Sequence, residues 1–359
     1  MKKCPVIVRV LCLLALLCLA GGARADDVLY LYNWNNYISE ATLARFEAAC
    51  RCRVRQDYYS DNEEMLAKLE AGATGYDILV PTGNAVESLI RRGALREVDH
   101  ARLSHLGNLD PSFRNPWFDP GNRYSIPYAT SVTLIGYNVD KLRERGLPTD
   151  TWALIFEPRY LAQIRGKVTV LNSQRELLAA AMKYLGHSVQ DHDPAKWDAA
   201  RRLILRAKPY WATFSNSTYI KDLAIGNIWV AHGYSNDMYR ASEDARAAGR
   251  PFRIGFTTPK EGAVLALDSF VLHKSGRRPD LALKFIDFML DGQNAADASN
   301  LIGAGNPNAA ARPFIRPEIA GNPAIFPPEG DRQRLEMLRD FDPKMRRLLS
   351  RLWTEVKVR

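Results

Sequence analysis

The sequence is short of the signatures by which catalysis is usually read. Among its 359 residues there is no HExxH, no GxSxG, no P-loop and no Rossmann glycine pattern after a strand. These absences exclude the commonest zinc-protease, α/β-hydrolase and nucleotide-binding designs. The six histidines are dispersed. The one run that resembles a metal cluster, His187-Ser-Val-Gln-Asp-His-Asp193, reads as a polar surface loop. Cysteine is scarce, with five in all. Beyond the first 25 residues no repeat, low-complexity tract or Gly/Ser-rich linker interrupts the chain. No apolar run is long enough for a comfortable membrane span, which needs about 20 residues.

What stands at the start is a leader. Lys2 and Lys3 precede an apolar stretch over residues 6–20, and Ala23-Arg-Ala25 offers a small-x-small cleavage site. Leu17 sits where a lipid-anchored leader would need a small residue. The expectation is a signal peptide over residues 1–25 and an exported protein with no membrane anchor. Export removes Lys2, Lys3, Arg9 and Arg24, so the formal net charge falls from +9 to +5. With Lys and Arg scattered, that excess reads as a solvated basic surface and not as a nucleic-acid face. Cys4, Cys12 and Cys18 leave too. Cys50 and Cys52 remain, at a spacing that rarely closes an unstrained disulfide, and no nearby His completes a zinc set. They read as small packing residues.

The rest of the chain alternates short apolar runs with helical patterns. Residues 28–32, 54–59 and 76–80 read as buried strands, the last stopped by Pro81. Ser39 is placed to cap a helix with Leu43 and Phe46 on one face. Ser60-Asp-Asn-Glu63 forms a capping box for a second helix, and Gly93 terminates a third. A second block runs over about 135–252, where 167–171 and 227–232 are strands, each followed by a polar turn and a helix. Such alternation calls for a parallel sheet with right-handed crossovers. Between the blocks, 126–135 and 264–272 are extended and apolar, and read as hinge strands. The fold class expected is α/β, in two lobes with a cleft between them. One lobe takes residues 26–134 and 265–310, the other 135–264 and 311–359.

In such sheets ligands bind beyond the carboxyl ends of the strands. The stretch Leu31-Tyr-Asn-Trp-Asn-Asn-Tyr-Ile-Ser39 puts Trp34, Asn35, Asn36 and Tyr37 just past the first strand. Thr82 lies past the third. Trp34 either covers the sheet end or faces a ligand. Glu176, Tyr234 and Asp237 hold equivalent places in the second block, where each carboxylate either serves its helix dipole or a substrate. Asp268 is a lone carboxylate in the otherwise buried Val264-Leu-Ala-Leu-Asp-Ser-Phe-Val-Leu272. Burying an ionised carboxylate unpaired costs on the order of several kcal/mol. An internal cation, a hydrogen-bonded turn or a cationic ligand must therefore meet it. Together, aromatic faces (Trp34, Tyr37, Tyr234) and carboxylates (Glu176, Asp237, Asp268) are what an alkylammonium requires. Rings attract the cation, at about 0.5–2 kcal/mol per contact, and carboxylates accept its hydrogens in charge-assisted bonds.

As a set, eight stretches resemble a known family over essentially the whole mature length. They are LYNWNNYISEATLARFE, GYDILVPT, NLDPSF, YSIPYATSVTLIGYNVDKL, TWALIFEP, LDSFVL, NPNAAAR and WTEVK. The family is the periplasmic polyamine-binding receptors of spermidine/putrescine ABC importers. The resemblance implies a periplasmic solute-binding fold whose lobes close about a hinge on a polyamine. It matches Trp34 and Tyr37 to the family's first aromatic pair and Thr82 to a small hydroxyl at the third strand end. It matches Glu176, Asp237 and Asp268 to acidic positions that hold ligand nitrogens. Tyr234 stands where the family commonly has Trp. Asn36 and Asn172 replace acidic residues, and Ala266 and Ala304 appear where aromatics often line the pocket.

The function expected is capture of a polyamine in the periplasm and delivery to the membrane permease of an ABC importer. It would be performed by a monomer, with no nucleic acid, cofactor, metal or catalytic residue. The alternatives are a polyamine sensor reporting to a membrane signalling protein, a receptor for another cationic amine, and an exported hydrolase using Glu176 and Asp237. Three carboxylates along a cleft suit two terminal ammoniums better than three or four cations. The ligand expected is thus a diamine, putrescine first and cadaverine second.

Overall fold

The computed structural model describes residues 27–35 and 37–358, so the expected leader and Asn36 lie outside the described residues. Strands β1 (Asp27–Trp34), β2 (Cys52–Tyr59) and β3 (Ile78–Leu79) pair in parallel, with β1 in the middle. Helices α1 (Glu40–Cys50) and α2 (Asn62–Glu70) connect them, and α3 (Gly83–Arg91) follows β3. Ser39 caps α1 as expected, accepting from the Thr42 amide at 3.0 Å. The box at α2 is shifted by one residue. Asp61 is the cap, accepting from the Glu64 amide at 2.8 Å, and Glu64 reaches back to the Ser60 amide at 2.8 Å. Glu63 is thereby left free of capping.

Cys50 and Cys52 do more than pack. They form a disulfide across the joint between α1 and β2. Arg51 between them adopts a left-handed conformation, φ 54°, which turns the chain directly from helix into strand. That turn sets the two Cα atoms 5.2 Å apart, within disulfide reach.

The sheet is mixed and not wholly parallel. After the short β4 (Leu95–Arg96), β5 (Ser125–Asn138) and β10 (Ala263–His273) are long strands that pair antiparallel with each other. β10 also runs antiparallel to β3. The first half of β5 lies beside β10. Its second half lies beside β8 (Val230–Tyr234) and β9 (Ile254–Thr257). There β6 (Val168–Val170) joins β8 and β7 (Thr213–Phe214) in parallel. Late in the chain β11 (Leu335–Glu336) returns to pair with the start of β10.

Two cores result. Leu29, Leu31, Ile78 and Phe270 pack with Phe46 and Phe285 on one side, and Tyr32, Met65 and Leu89 adjoin them. Leu134, Trp152, Val170, Trp197 and Met238 pack on the other. Helices α4 (Gln174–Tyr184), α5 (Pro194–Ala207), α6 (Thr218–Ala224) and α7 (Ser235–Ala247) cover the second core. α8 (Pro279–Leu290) and α9 (Gly292–Ile302) return to the first, and α10 (Pro343–Val358) closes the second. A buried chain crossing between cores must satisfy its amides on the way. Two extended strands bonded to each other meet that requirement. Among the described residues no helix is long and apolar enough to cross a membrane.

Asp77 pins the first core's sheet to the loop before α8. At 2% exposure, it accepts from the Tyr30 amide at 2.9 Å and the Arg278 amide at 2.8 Å. Removing both acceptors leaves two amides unpaired, so Asp77→Ala should cost about 2–3 kcal/mol of stability. Urea unfolding measures this, and a loss below about 0.5 kcal/mol, the range of ordinary surface changes, would refute the assignment.

Candidate functional site

Where β5 and β10 pass between the cores, their register slips. Asp268 opposes Ala129 and Ser269 opposes Pro127, leaving Tyr128 as the bulged residue. Pro127 has no amide for the ladder, and a bulge is where a central strand tolerates that. Tyr128 turns its hydroxyl to the Tyr37 carbonyl at 2.7 Å. Asp268 is left on the wall of a cleft of about 1570 Å³.

The structure brings eight of the nine expected site residues to that cleft: Trp34, Asn35, Tyr37, Thr82, Glu176, Tyr234, Asp237 and Asp268. The ninth, Asn36, lies outside the described residues. Ala266 lines the cleft as well. Ala304 does not, being 1% exposed and packed in the first core with Leu109 and Tyr128. Asn172 reaches the cleft, but its Oδ1 accepts from Lys357 Nζ of α10 at 2.8 Å. Among the described residues no group of three His, Cys, Asp or Glu is arranged to hold a metal, the 187–193 loop included.

Asp268 is 3% exposed and is held by hydroxyls. Thr82 Oγ1 donates to one oxygen at 2.6 Å and the Tyr37 hydroxyl to the other at 3.0 Å. Thr82 stands at the N-cap of α3 yet makes no side-chain cap bond. Its hydroxyl serves Asp268 instead. Glu176, in the first turn of α4, accepts from Thr133 Oγ1 of β5 at 2.7 Å. Asp237, in the first turn of α7, accepts from the Tyr219 hydroxyl of α6.

Burial pushes the Glu176 carboxyl up to about 7, and Asp237 and Asp268 each up to about 6. Hydroxyl donors pull each back toward the anion, and for Asp237 and Asp268 no cation takes part. Of the partners open from sequence, Asp268 has the hydrogen bonds and, among the described residues, no internal cation.

The aromatic wall is tied to the backbone. The Trp34 indole donates to the Val80 carbonyl at 2.9 Å, and the Tyr59 hydroxyl bonds the same oxygen at 2.6 Å. The two rings lie 4.6 Å apart, with Tyr37 6.1 Å from Trp34. Sequence reading missed Tyr59, Thr133 and Tyr219. Thr133 had a signal, as a hydroxyl within an apolar hinge strand. Tyr219 had none, since it meets Asp237 only through the packing of α6 on α7.

Residues 41–327 match the family described as bacterial extracellular solute-binding protein. The chain is 55% identical over 340 residues to a putrescine/cadaverine-binding protein of Pseudomonas aeruginosa, covering 95% of this chain and 96% of that one. It is 35% identical over 355 residues to the putrescine-binding periplasmic protein PotF of Escherichia coli, covering 96% and 95%. Among solved structures it resembles PotD, a spermidine/putrescine ABC transporter substrate-binding protein of Streptococcus pneumoniae. That match has a TM-score of 0.79 at 25% identity and covers 92% and 99%.

The hydroxyl-held carboxyls give stability a definite sign with pH. A carboxyl whose pKa is higher folded than unfolded stabilises fully below the unfolded value and loses that stability as pH rises through the folded one. For Asp268 the window runs from the ordinary 3.8 to about 6. In ligand-free protein Asp268→Asn should therefore be the more stable form at pH 8, by about 1–3 kcal/mol, with the gap closing toward pH 4. Denaturant melts at the two pH values test this. A variant less stable than wild type at pH 8 would reverse the sign and reject it.

Proposed function

This chain belongs to the bacterial extracellular solute-binding protein family, and from that premise we propose that it is a periplasmic receptor that captures a diamine and hands it to the permease of an ABC importer. One observation carries the reading. Three buried or half-buried carboxylates from two cores face one cleft, with hydroxyls as their close partners. A ligand with an ammonium at each end supplies the missing charge on both sides. Asp268 takes one end beside Tyr37 and Trp34, while Asp237 and Glu176 take the other beside Tyr234. Thr82 and Asn35 complete the wall of the first side.

The lobes in this reading are residues 26–134 with 265–310, and 135–264 with 311–359, turning about β5 and β10. Closure needs a ligand that interacts better with the closed form, and one that bridges both lobes does so. The receptor acts as a single copy and makes or breaks no bond. Glu176 and Asp237 are raised in the same direction by the same cause, whereas a catalytic pair needs environments that divide acid from base. The putrescine/cadaverine-binding name of the Pseudomonas aeruginosa relative fits a diamine.

Calorimetric titration of putrescine, cadaverine, spermidine and spermine should rank putrescine first and cadaverine second. Asp268→Asn should weaken putrescine by roughly tenfold to a hundredfold while the fold persists. Spermidine binding about tenfold tighter than putrescine, a difference of about 1.4 kcal/mol, would defeat the charge argument.

Binding should also release protons near neutral pH, because an arriving cation lowers carboxyl pKa values. Affinity then falls as pH drops from 8 to 5, with Glu176 titrating first from about 7. Titrations in buffers of different ionisation enthalpy count the protons. No release at pH 7 would mean that the cation does not meet Glu176.

A further inference from the structure

Away from the cleft wall, another buried carboxylate meets the opposite solution. Asp340 lies between β11 and α10 with its side chain 3% exposed, among three guanidiniums. Arg346 of α10 approaches its two oxygens at 3.3 and 3.4 Å, Arg175 of α4 lies at 3.7 Å, and Arg91 of α3 pairs with it directly. The Asp340 amide donates to Glu87 of α3 at 2.8 Å. Arg175 extends the network, donating to Glu63 of α2 at 3.0 Å and to the Arg339 carbonyl at 3.0 Å.

These partners come from both sides of the cleft. α2 and α3 pack in the first core through Met65, Val86 and Leu89. α4 and α10 pack in the second through Leu177, Leu178 and Leu349. The segment bearing Asp340 is fastened to the second core, since Glu336 takes Lys183 of α4 at 2.6 Å. Arg91, Glu87 and Glu63 must therefore part from Arg175, Arg346 and Asp340 whenever the cleft opens. Exposed ion pairs contribute little singly, but a buried carboxylate that loses its partners is strongly penalised.

We infer that Asp340 is the hub of an ionic clasp that holds the cleft shut, and that Arg175, adjacent to Glu176, is the positioning residue joining this clasp to the ligand site. The inference rests on the receptor reading above. The clasp sets the fraction of molecules that stand closed, and apparent affinity scales with that fraction. Arg175 is then required for affinity although it places a positive charge on the wall of a cleft that takes a cation.

That opposition of signs makes the test. At pH 8.5, above the Glu176 value of about 7, removing a cation from the wall would by electrostatics alone tighten putrescine binding, whereas loosening a clasp weakens it. Arg175→Gln and Glu63→Gln should each raise the putrescine Kd by about fivefold to thirtyfold, mainly through faster dissociation in stopped-flow fluorescence. Asp340→Asn should do so more strongly. If that variant fails to fold, the two others carry the test, because both residues are solvent-accessible. Tighter or unchanged binding in Arg175→Gln, with Glu63→Gln unchanged, overturns the clasp. If wild-type protein takes no putrescine, the receptor reading fails on its own. The clasp is then judged by small-angle scattering of ligand-free protein: expansion in the variants supports it, and identical profiles overturn it.

Discussion

The structure is organised around cleft carboxylates whose close partners are hydroxyls. No arginine among the described residues neutralises Asp268. Instead it sits at a bulge in the strand that joins the cores, with two hydroxyls turned to it. Much nearby is arranged to keep it there. Thr82 leaves its helix uncapped, Pro127 gives up a ladder bond, and Tyr128 ties down the turn that carries Tyr37. Local rules give way here, as expected where a site and not a core sets the sequence.

Asp340 shows what the alternative looks like. There the chain surrounds a buried acid with arginines, and the charge is settled by the protein itself. The two environments differ in what they leave undone. One is complete within the molecule and the other is complete only with something added. The crossing strands allow both in one protein, because they tie together two separately packed cores with the cleft between them.

Much of this was legible in the sequence, for physical reasons. Apolar runs ended by Pro81 or followed by Ser39 mark strands and helix starts, because their side-chain periods and caps are local. The hinge strands stood out as long apolar runs without helical spacing. Strand direction did not, since nothing in β10 itself says that it inserts antiparallel between β3 and β5. Asp61–Glu64 overlaps Ser60–Glu63, so two capping boxes were written in one stretch, and only the backbone decides between them. Of the site, the carboxylates and Trp34 were readable as residues out of place for a core. Their partners were not, because Tyr219 and Tyr59 look like ordinary core aromatics until the helices and strands are packed. Ala304 matched a pocket position by resemblance alone, and the fold buries it.

The bond between Cys50 and Cys52 has a bearing on where this chain acquires its final covalent form. It encloses a single residue, Arg51, at the point where α1 becomes β2. Compartments that keep thiols reduced do not sustain such a link, while the exterior of the inner membrane does. A copy held in a reducing compartment would thus carry two sulfhydryls, one of them interred at the start of β2. The oxidation state of this pair is a chemical postmark of the redox compartment in which the chain stands.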